Sequence, residues 1–204
     1  MLIKIHPENP DPRKIKKVAG ILDDGGVIIY PTDTVYGMGC DIFNSKAVER
    51  IARIKGIRMK DHDFSLICHD FTHLSNYTKH FSNSIFKMLK KNLPGPFTFI
   101  LPASGSVPRL LQRKKKTVGI RIPDNPIILK IVTELNRPIL TTSIYDDDEV
   151  VEYTTDPELI HEKFEKLVDA VIDGGFGGNV PSTVIDCTNE EPAIIREGKG
   201  VPEL

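Results

Sequence analysis

The apolar residues of this chain occur in short runs of strand length, and helical segments are interleaved with them irregularly. The runs are rich in β-branched residues, which favours buried strands. Strands are predicted at 3–6, 27–30, 64–69, 97–102, 117–123, 138–143, 170–175, 182–187 and 193–198. Amphipathic helices are predicted at 11–26, 44–55, 82–93, 126–135 and 157–167. Because strands and helices do not alternate strictly, the pattern predicts one α/β domain with a twisted, open, mixed sheet.

The composition suits a reduced, cytoplasmic protein. Hydrophobic residues make up 40% of the 204 residues, enough for one packed core, and the net charge is −1. No apolar run is long enough to cross a membrane, and the first residues lack the apolar core of a secretory signal. The three cysteines are far apart and lack metal-binding spacing, so we expect buried thiols at Cys40, Cys68 and Cys187.

The segment YPTDTVYGMGCD (30–41) directly follows a predicted strand, where open sheets commonly bind ligands. Hydroxyl groups and glycines are concentrated there, at Thr32, Thr34, Tyr36, Gly37 and Gly39. The hydroxyls offer hydrogen bonds, and the glycines could let the backbone approach a ligand. The alternative is a tight turn in which Asp33 and the threonines satisfy local backbone groups. This stretch alone favours the turn.

Polar residues also lie at the beginning or the end of several other predicted strands. They are Arg121, Thr141, Thr142, Ser143, Ser182, Thr183 and Arg196. Hydroxyl and guanidinium groups suit phosphates and carboxylates, and no nucleophile–base pair is evident from the spacing. The sequence contains neither a P-loop nor a GxGxxG motif, and its six histidines show no zinc-binding spacing.

Two segments are strongly basic, RIARIKGIRMK (50–60) and RLLQRKKKTVGIR (109–121). Either segment could hold nucleotide or RNA phosphates, although most charged runs are solvated faces. The second segment has no aromatic residue for base stacking. An acidic run, YDDDEVVE (145–152), would repel phosphates in its neighbourhood.

Five motifs together resemble the YrdC/Sua5/YciO family over residues 13–200. They are YPTDTVYGMGCD, PGPFTFIL, VGIRIPDNP, TTS and PSTVID…REG, in this order. The resemblance implies a sheet of the YrdC/RibB type with a concave basic cavity, in a single domain over 1–204 without the additional C-terminal Sua5 domain. The best-understood members are threonylcarbamoyl-AMP synthases, which join L-threonine, bicarbonate and ATP for threonylcarbamoyladenosine modification of tRNA. The family is also described as binding double-stranded RNA.

The resemblance implies roles for individual residues. It implies threonine binding by Thr34, Arg121, Ser143 and Ser182. It implies nucleotide or phosphate binding by Lys55, Arg58, His69, Thr98, Thr141 and Arg196. The candidates for RNA binding are Arg113, Lys114, Lys115 and Lys116. Neither a covalent nucleophile nor a protein-built metal site is expected, because threonine carbamate is itself the nucleophile and ATP carries Mg²⁺ on its phosphates.

The chain departs from the synthase pattern in two places and there resembles the YciO branch. KGIRMKDHDFSL (55–66) replaces a compact KGRPxxxPL segment, with Ser65 at the proline position. TTSIYD replaces STSAN, which puts Tyr145 at the asparagine position. Three functions stay open at this point: a ligase acting on ATP and threonine, a non-catalytic RNA- or tRNA-binding protein, and an ATP-binding module.

Overall fold

The computed structural model describes residues 1–58, 64–111, 116–144 and 154–203. In these ranges the strands are β1 (Leu2–Lys4), β2 (Ile28–Tyr30), β3 (Gly37–Asp41), β4 (Ser65–Ile67), β5 (Phe97–Pro102), β6 (Thr117–Arg121), β7 (Ile139–Ser143), β8 (Ala170–Asp173), β9 (Thr183–Asp186) and β10 (Ala193–Arg196). The α-helices are α1 (Pro12–Asp23), α2 (Ser45–Ile54), α3 (Phe71–Tyr77), α4 (Asn83–Asn92), α5 (Pro126–Leu135) and α6 (Pro157–Phe164). Every strand and helix predicted from the sequence is present, with small shifts at the ends.

The strands form one mixed sheet in the order β1-β8-β2-β3-β7-β4-β6-β5-β9-β10. The pairs β1–β8, β8–β2, β4–β6 and β5–β9 are parallel, and the other neighbours are antiparallel. The predicted α/β fold with mixed pairing is therefore confirmed.

Polar side chains define where the helices begin. Directly before each of the six described α-helices, a side-chain oxygen accepts a hydrogen bond from a backbone N–H of the first turn. These N–H groups have no partner within the helix, so the cap satisfies one of them. The capping residues are Asp11, Asn44, Asp70, Ser82, Asn125 and Asp156. No helix in the described part of the chain is both long and apolar enough to cross a bilayer.

The sheet has a core on each face, because successive side chains of a strand point in opposite directions. Helices α2, α4 and α6 contribute to the larger core, which includes Ile29 of β2. Helices α1 and α5 cover the other face together with Ile28 and Tyr30. Among the described residues, this second core contains none from β5, β6, β9 or β10. That part of the face is where the candidate site lies.

Among the strands and α-helices of the described ranges, two were not predicted from the sequence, and both are short. Helix α3 has only seven residues. Strand β3 is the second half of the segment interpreted as a turn, and it pairs with β2 and β7. Its glycines, Gly37 and Gly39, obscure the strand pattern because glycine is unfavourable in strands.

The idea that these glycines let the backbone approach a ligand was wrong. A Cβ on Gly37 would lie 3.0 Å from the Tyr30 ring, and a Cβ on Gly39 would collide with the Leu140 carbonyl oxygen and lie 2.6 Å from Ile139. The glycines therefore make room for neighbouring strands and for Tyr30, whose hydroxyl donates to Thr141 Oγ1 at 2.7 Å.

Gly39→Ala is expected to lower the free energy of unfolding by about 1–3 kcal/mol, because its new methyl group has no space in a packed sheet. Gly20→Ala is the matched control, since Gly20 lies on an exposed side of α1 with nothing within 4 Å of its Cβ position. The control should stabilise the protein by up to about 1 kcal/mol. Urea unfolding measures both, and a neutral Gly39→Ala would contradict the described packing of β3.

The three cysteines are buried and free, as predicted. Burial raises the pKa of all three thiols, that of Cys187 to about 12. The thiols are therefore protonated at neutral pH and serve as core residues rather than nucleophiles.

Candidate functional site

A polar cavity of about 340 Å³ opens on the sheet face that α1 and α5 leave uncovered. Its described lining combines two arginines, six hydroxyl side chains and two apolar residues. These residues are Val35, Ser65, Thr98, Arg121, Thr141, Thr142, Ser143, Pro181, Ser182 and Arg196. Six residues predicted from the sequence lie in this lining, namely Thr98, Arg121, Thr141, Ser143, Ser182 and Arg196.

Strand pairing explains why residues far apart in sequence meet here. Ser65 of β4 is opposite Thr141 of β7 on one side and Gly119 of β6 on the other. A Cβ on Gly119 would lie 2.5 Å from Ser65 Oγ and 3.4 Å from Thr98 Cγ2. The glycine therefore lets two hydroxyl side chains converge on the floor of the cavity.

Arg121 is the buried cation of the site, with 8% of its surface exposed. Its Nη2 donates to Asp33 Oδ1 at 2.9 Å and to Thr34 Oγ1 at 3.0 Å. Burial lowers the pKa of Arg121, and the neighbouring Asp33 carboxylate opposes that shift. The guanidinium stays charged, because arginine is not deprotonated in proteins. Its Nε is buried and has no hydrogen-bond partner among the described residues. Arg121 therefore gives the wall of the cavity a positive charge.

The loop before β3 holds Arg121 in place. Thr32 Oγ1 donates to the Val35 carbonyl at 2.7 Å, and the Thr34 backbone N–H donates to Thr32 Oγ1 at 3.0 Å. Both bonds fit the local turn that the sequence favoured. Asp33 also accepts from the Asp124 backbone N–H at 3.1 Å. Thr34 does not line the cavity itself, but the turn presents its hydroxyl and the Asp33 carboxylate to Arg121.

A β-bulge aims Arg196 at the cavity. Ile194 of β10 is opposite Ile185 of β9, whereas Arg196 is opposite Val184, so Ile195 is the extra residue. Val184 is also opposite Thr98 of β5, which lines the cavity. The bulge therefore turns the guanidinium toward the cavity face, as bulges beside functional sites often do.

Arg196, Ser182 and Thr98 form a hydrogen-bonded group at one end of the cavity. Arg196 Nη2 donates to the Ser182 carbonyl at 2.8 Å and to Ser182 Oγ at 3.3 Å. Ser182 Oγ and Thr98 Oγ1 are 2.8 Å apart. The cavity thus has guanidinium groups from two different strands, Arg121 from β6 and Arg196 from β10, which suits a ligand with two anionic groups.

Three predicted nucleotide-binding residues lie outside the lining. Lys55 is the half-buried C-cap of α2, and the exposed Arg58 follows three residues later. His69 follows β4, with its Nε2 3.5 Å from Asp70 Oδ2. Lys116 is exposed before β6. The other RNA-binding candidates, Arg113, Lys114 and Lys115, and the substituted position Tyr145 lie outside the described residues.

Ser65 and Asp33 are among the residues of the site that sequence reasoning missed. Strand alternation is the signal that could have identified Ser65. Residues two positions apart in a strand point to the same face, so Ser65 shares a face of the sheet with the buried Ile67. Asp33 was interpreted only as a turn residue. Its role as the partner of Arg121 depends on a contact across 88 positions, for which the sequence gives no signal.

His69 and His73 stack with their ring centroids 4.3 Å apart. Burial, and then the neighbouring His69, lower the pKa of His73 to about 4, while Asp70 opposes the shift. In the described ranges, no group of three or more His, Cys, Asp or Glu side chains is placed to hold a metal. His73 has a pKa below the usual range of a histidine.

His73 should make the protein less stable in acid. Its pKa is lower in the folded state, so the unfolded state binds more protons between pH 6.5 and about 4. The contribution of neutral His73 is complete above pH 6.5 and is lost on acidification through this range, by roughly 3 kcal/mol. His73→Phe keeps a ring against Tyr77 and should flatten the stability profile between these pH values. His80→Phe, at an exposed histidine, should not, and equal profiles for both variants would contradict the assignment.

Comparison with known proteins identifies relatives over nearly the whole chain. The family model for Sua5, YciO and YrdC, described as telomere recombination, matches residues 20–198. The uncharacterised protein YciO of Escherichia coli is 45% identical over 198 residues, which cover 96% of this chain and 94% of YciO. The threonylcarbamoyl-AMP synthase of Pyrococcus abyssi is 34% identical over 190 residues, which cover 93% of this chain and 55% of the synthase.

Solved structures agree with these relationships. The crystal structure of E. coli YciO superposes with a TM-score of 0.91 at 43% identity, covering 98% of this chain and 97% of YciO. The crystal structure of P. abyssi Sua5 complexed with L-threonine superposes with a TM-score of 0.88 at 32% identity. That match covers 97% of this chain and 57% of Sua5.

Proposed function

The chain belongs to the Sua5/YciO/YrdC family, and we propose that its polar cavity binds L-threonine and ATP and forms threonylcarbamoyl-AMP from them and bicarbonate. Arg121 carries the proposal. A buried guanidinium that lines a cavity together with six hydroxyl side chains is suited to a small ligand that bears a carboxylate and a hydroxyl. Synthase relatives and the threonine complex of a Sua5 neighbour support the same ligand.

The reaction needs positioning and charge neutralisation more than covalent catalysis. The amine of threonine and bicarbonate give N-carboxythreonine and water. An oxygen of this carbamate attacks the α-phosphorus of ATP, the bond to the bridging oxygen breaks, and pyrophosphate leaves. Holding two anions together in the right geometry is the main requirement for such a step.

We assign the residues accordingly. Arg121, Ser143 and Ser182 hold threonine, Arg121 pairs with its carboxylate, and Thr34 acts by positioning the Arg121 guanidinium. Arg196, Thr98 and Thr141 neutralise and orient the phosphates, with Lys55, Arg58 and His69 reaching them from beyond the described lining. Mg²⁺ comes with the phosphates of ATP, since the described lining has hydroxyl oxygens and no carboxylate.

Calorimetric titration with amino acids tests the threonine site. L-Threonine should bind, whereas L-valine, which has nearly the same shape but no hydroxyl, should bind at least about tenfold more weakly because it leaves buried polar groups unpaired. D-Threonine is the stereochemical control and should not bind. Equal affinity for threonine and valine, or no binding of either, would contradict the proposal.

A second candidate function, binding of a polyanion such as RNA, is supported by the distribution of charge. Residues 71–123 contain ten of the 27 Lys and Arg residues and none of the 28 Asp and Glu residues. The backbones of two of these lysines pair with the end of β5, where the Lys79 N–H donates to the Pro102 carbonyl and the Lys116 carbonyl accepts from the Ala103 N–H. The segment therefore concentrates positive charge in a stretch of sequence that has no acidic residue of its own.

Salt dependence tests this second function. Replacing Arg113, Lys114, Lys115 and Lys116 by alanine should reduce the slope of log affinity against log salt by up to about 3–4 for double-stranded RNA, since each phosphate contact contributes about 0.9. The matched control replaces four cations of α1, namely Arg13, Lys14, Lys16 and Lys17. Equal slopes for wild type and the first variant would exclude this segment as the RNA contact.

A further inference from the structure

A glycine-rich loop presents a phenylalanine to solvent beside the cavity. In the run GGFGG (174–178), Phe176 is flanked by two glycines on each side. It is 82% exposed, the highest value among the nine phenylalanines, compared with 53% for Phe43 and 39% for Phe86. An aromatic ring so exposed is available to stack on a planar ligand.

The backbone on both sides of Phe176 is held in place. Tyr36 Oη donates to the Gly175 carbonyl at 2.7 Å, and the Gly177 N–H donates to the Thr155 carbonyl at 2.8 Å. These groups belong to the two peptide units that flank Phe176. Gly175 has a φ of +93°, a conformation that favours glycine. The ring is therefore presented from an ordered backbone, which lowers the entropic cost of binding a ligand.

The same loop forms part of the rim of the cavity. The Gly178 N–H donates to the Thr34 carbonyl at 2.9 Å, and a Cβ on Gly178 would lie 2.6 Å from that oxygen. Val35, next to Thr34, and Pro181, further along the loop, both line the cavity. Phe176 is two positions before Gly178, and two residues span at most about 7 Å, so its backbone is close to this edge of the cavity.

The cavity lacks what the base of a nucleotide needs. Its described lining has two apolar residues, Val35 and Pro181, and no aromatic one. The arginines and hydroxyls suit phosphate and carboxylate groups, but a purine ring gains most from a planar aromatic surface. We propose that Phe176 stacks on the adenine of ATP whose phosphates enter the cavity. This inference rests on the proposed function, because it requires ATP in that site.

Phe176→Trp provides a direct test, because the chain contains no tryptophan. The emission of this single tryptophan should be quenched when Mg-ATP is added and unchanged with Mg-tripolyphosphate, which has phosphates but no base. Phe43→Trp is the matched control. Phe43 is exposed and follows Asp41, the last residue of β3, whereas the cavity residue Ser143 is opposite Gly37, at the other end of this strand. Its emission should not respond to either ligand. Equal quenching at both positions, or quenching by tripolyphosphate, would overturn the proposal.

Affinities separate this inference from the proposed function. Phe176→Ala should weaken Mg-ATP binding roughly tenfold by calorimetry, as expected for loss of one stacking contact, and leave tripolyphosphate binding unchanged. If wild type binds ATP and Phe176→Ala binds it equally well, the stacking contact is refuted and the proposed function stands. If wild type binds no ATP, both fail. Quenching of Phe176→Trp by single-stranded oligoadenylate but not by ATP would refute the ATP contact in favour of an RNA base.

Discussion

Arg121→Met should abolish threonine binding and lower the free energy of unfolding by about 3–5 kcal/mol. The loss of stability follows from Asp33, whose side chain is only 9% exposed and would keep a buried charge without its cation. The loss of binding follows from removal of the guanidinium that we assign to the carboxylate of threonine. Chemical denaturation and calorimetry with L-threonine measure the two effects separately.

A second substitution separates the two roles of this ion pair. Asp33→Asn combined with Arg121→Met removes both charges, so the double variant should recover much of the lost stability, as uncharged replacements of buried pairs often do. It should still fail to bind threonine. Threonine binding by the double variant would refute the role of Arg121, and an unaltered stability of Arg121→Met would refute the importance of the pair.

Arg196→Ala should slow formation of threonylcarbamoyl-AMP by about 100- to 1,000-fold, the usual effect of removing one group that stabilises developing charge. The folded state should be little affected, because Arg196 lies on an exposed strand at the edge of the sheet. Rapid-quench assays of product formation, with thermal unfolding as a check on folding, measure this. The expected pattern is a loss of rate without a comparable loss of stability.

Ile195→Ala is the matched control for Arg196→Ala. Ile195 is the extra residue of the bulge and is 55% exposed, so its truncation leaves the guanidinium in place. Activity within about twofold of wild type is expected, in keeping with an exposed substitution. If the two variants lose activity equally, the conformation of β10 rather than the charge of Arg196 supports the reaction.

The sequence predicts the fold well because most elements carry their own local signals. Residues 97–100 of β5 form a continuous run of β-branched and aromatic residues. Helix α5 begins at Pro126, directly after its cap Asn125, and ends before a left-handed Asn136. Strand β3 has no comparable signal, since Gly37 and Gly39 are there to fit neighbours that belong to β2 and β7. Such tertiary requirements override local preference.

The site is predictable only in part, for a similar reason. Hydroxyl and arginine residues at strand ends are visible in the sequence, and the resemblance to the family selects Arg121, Thr141 and Arg196 among them and adds Thr98. Three features depend on contacts between distant segments and are not visible: the pairing of Asp33 with Arg121, the bulge that turns Arg196, and the pinned loop around Phe176.

The most direct measurement is mass spectrometry of the purified protein incubated with Mg-ATP, L-threonine and ¹³C-bicarbonate, with pyrophosphate followed in parallel. The account predicts threonylcarbamoyl-AMP that carries the ¹³C label, formed in equal amount to pyrophosphate and absent when threonine is omitted or Arg121→Met is used. If the protein binds ATP and threonine but forms no labelled product, the proposed reaction is contradicted. The cavity would then bind both ligands for another function.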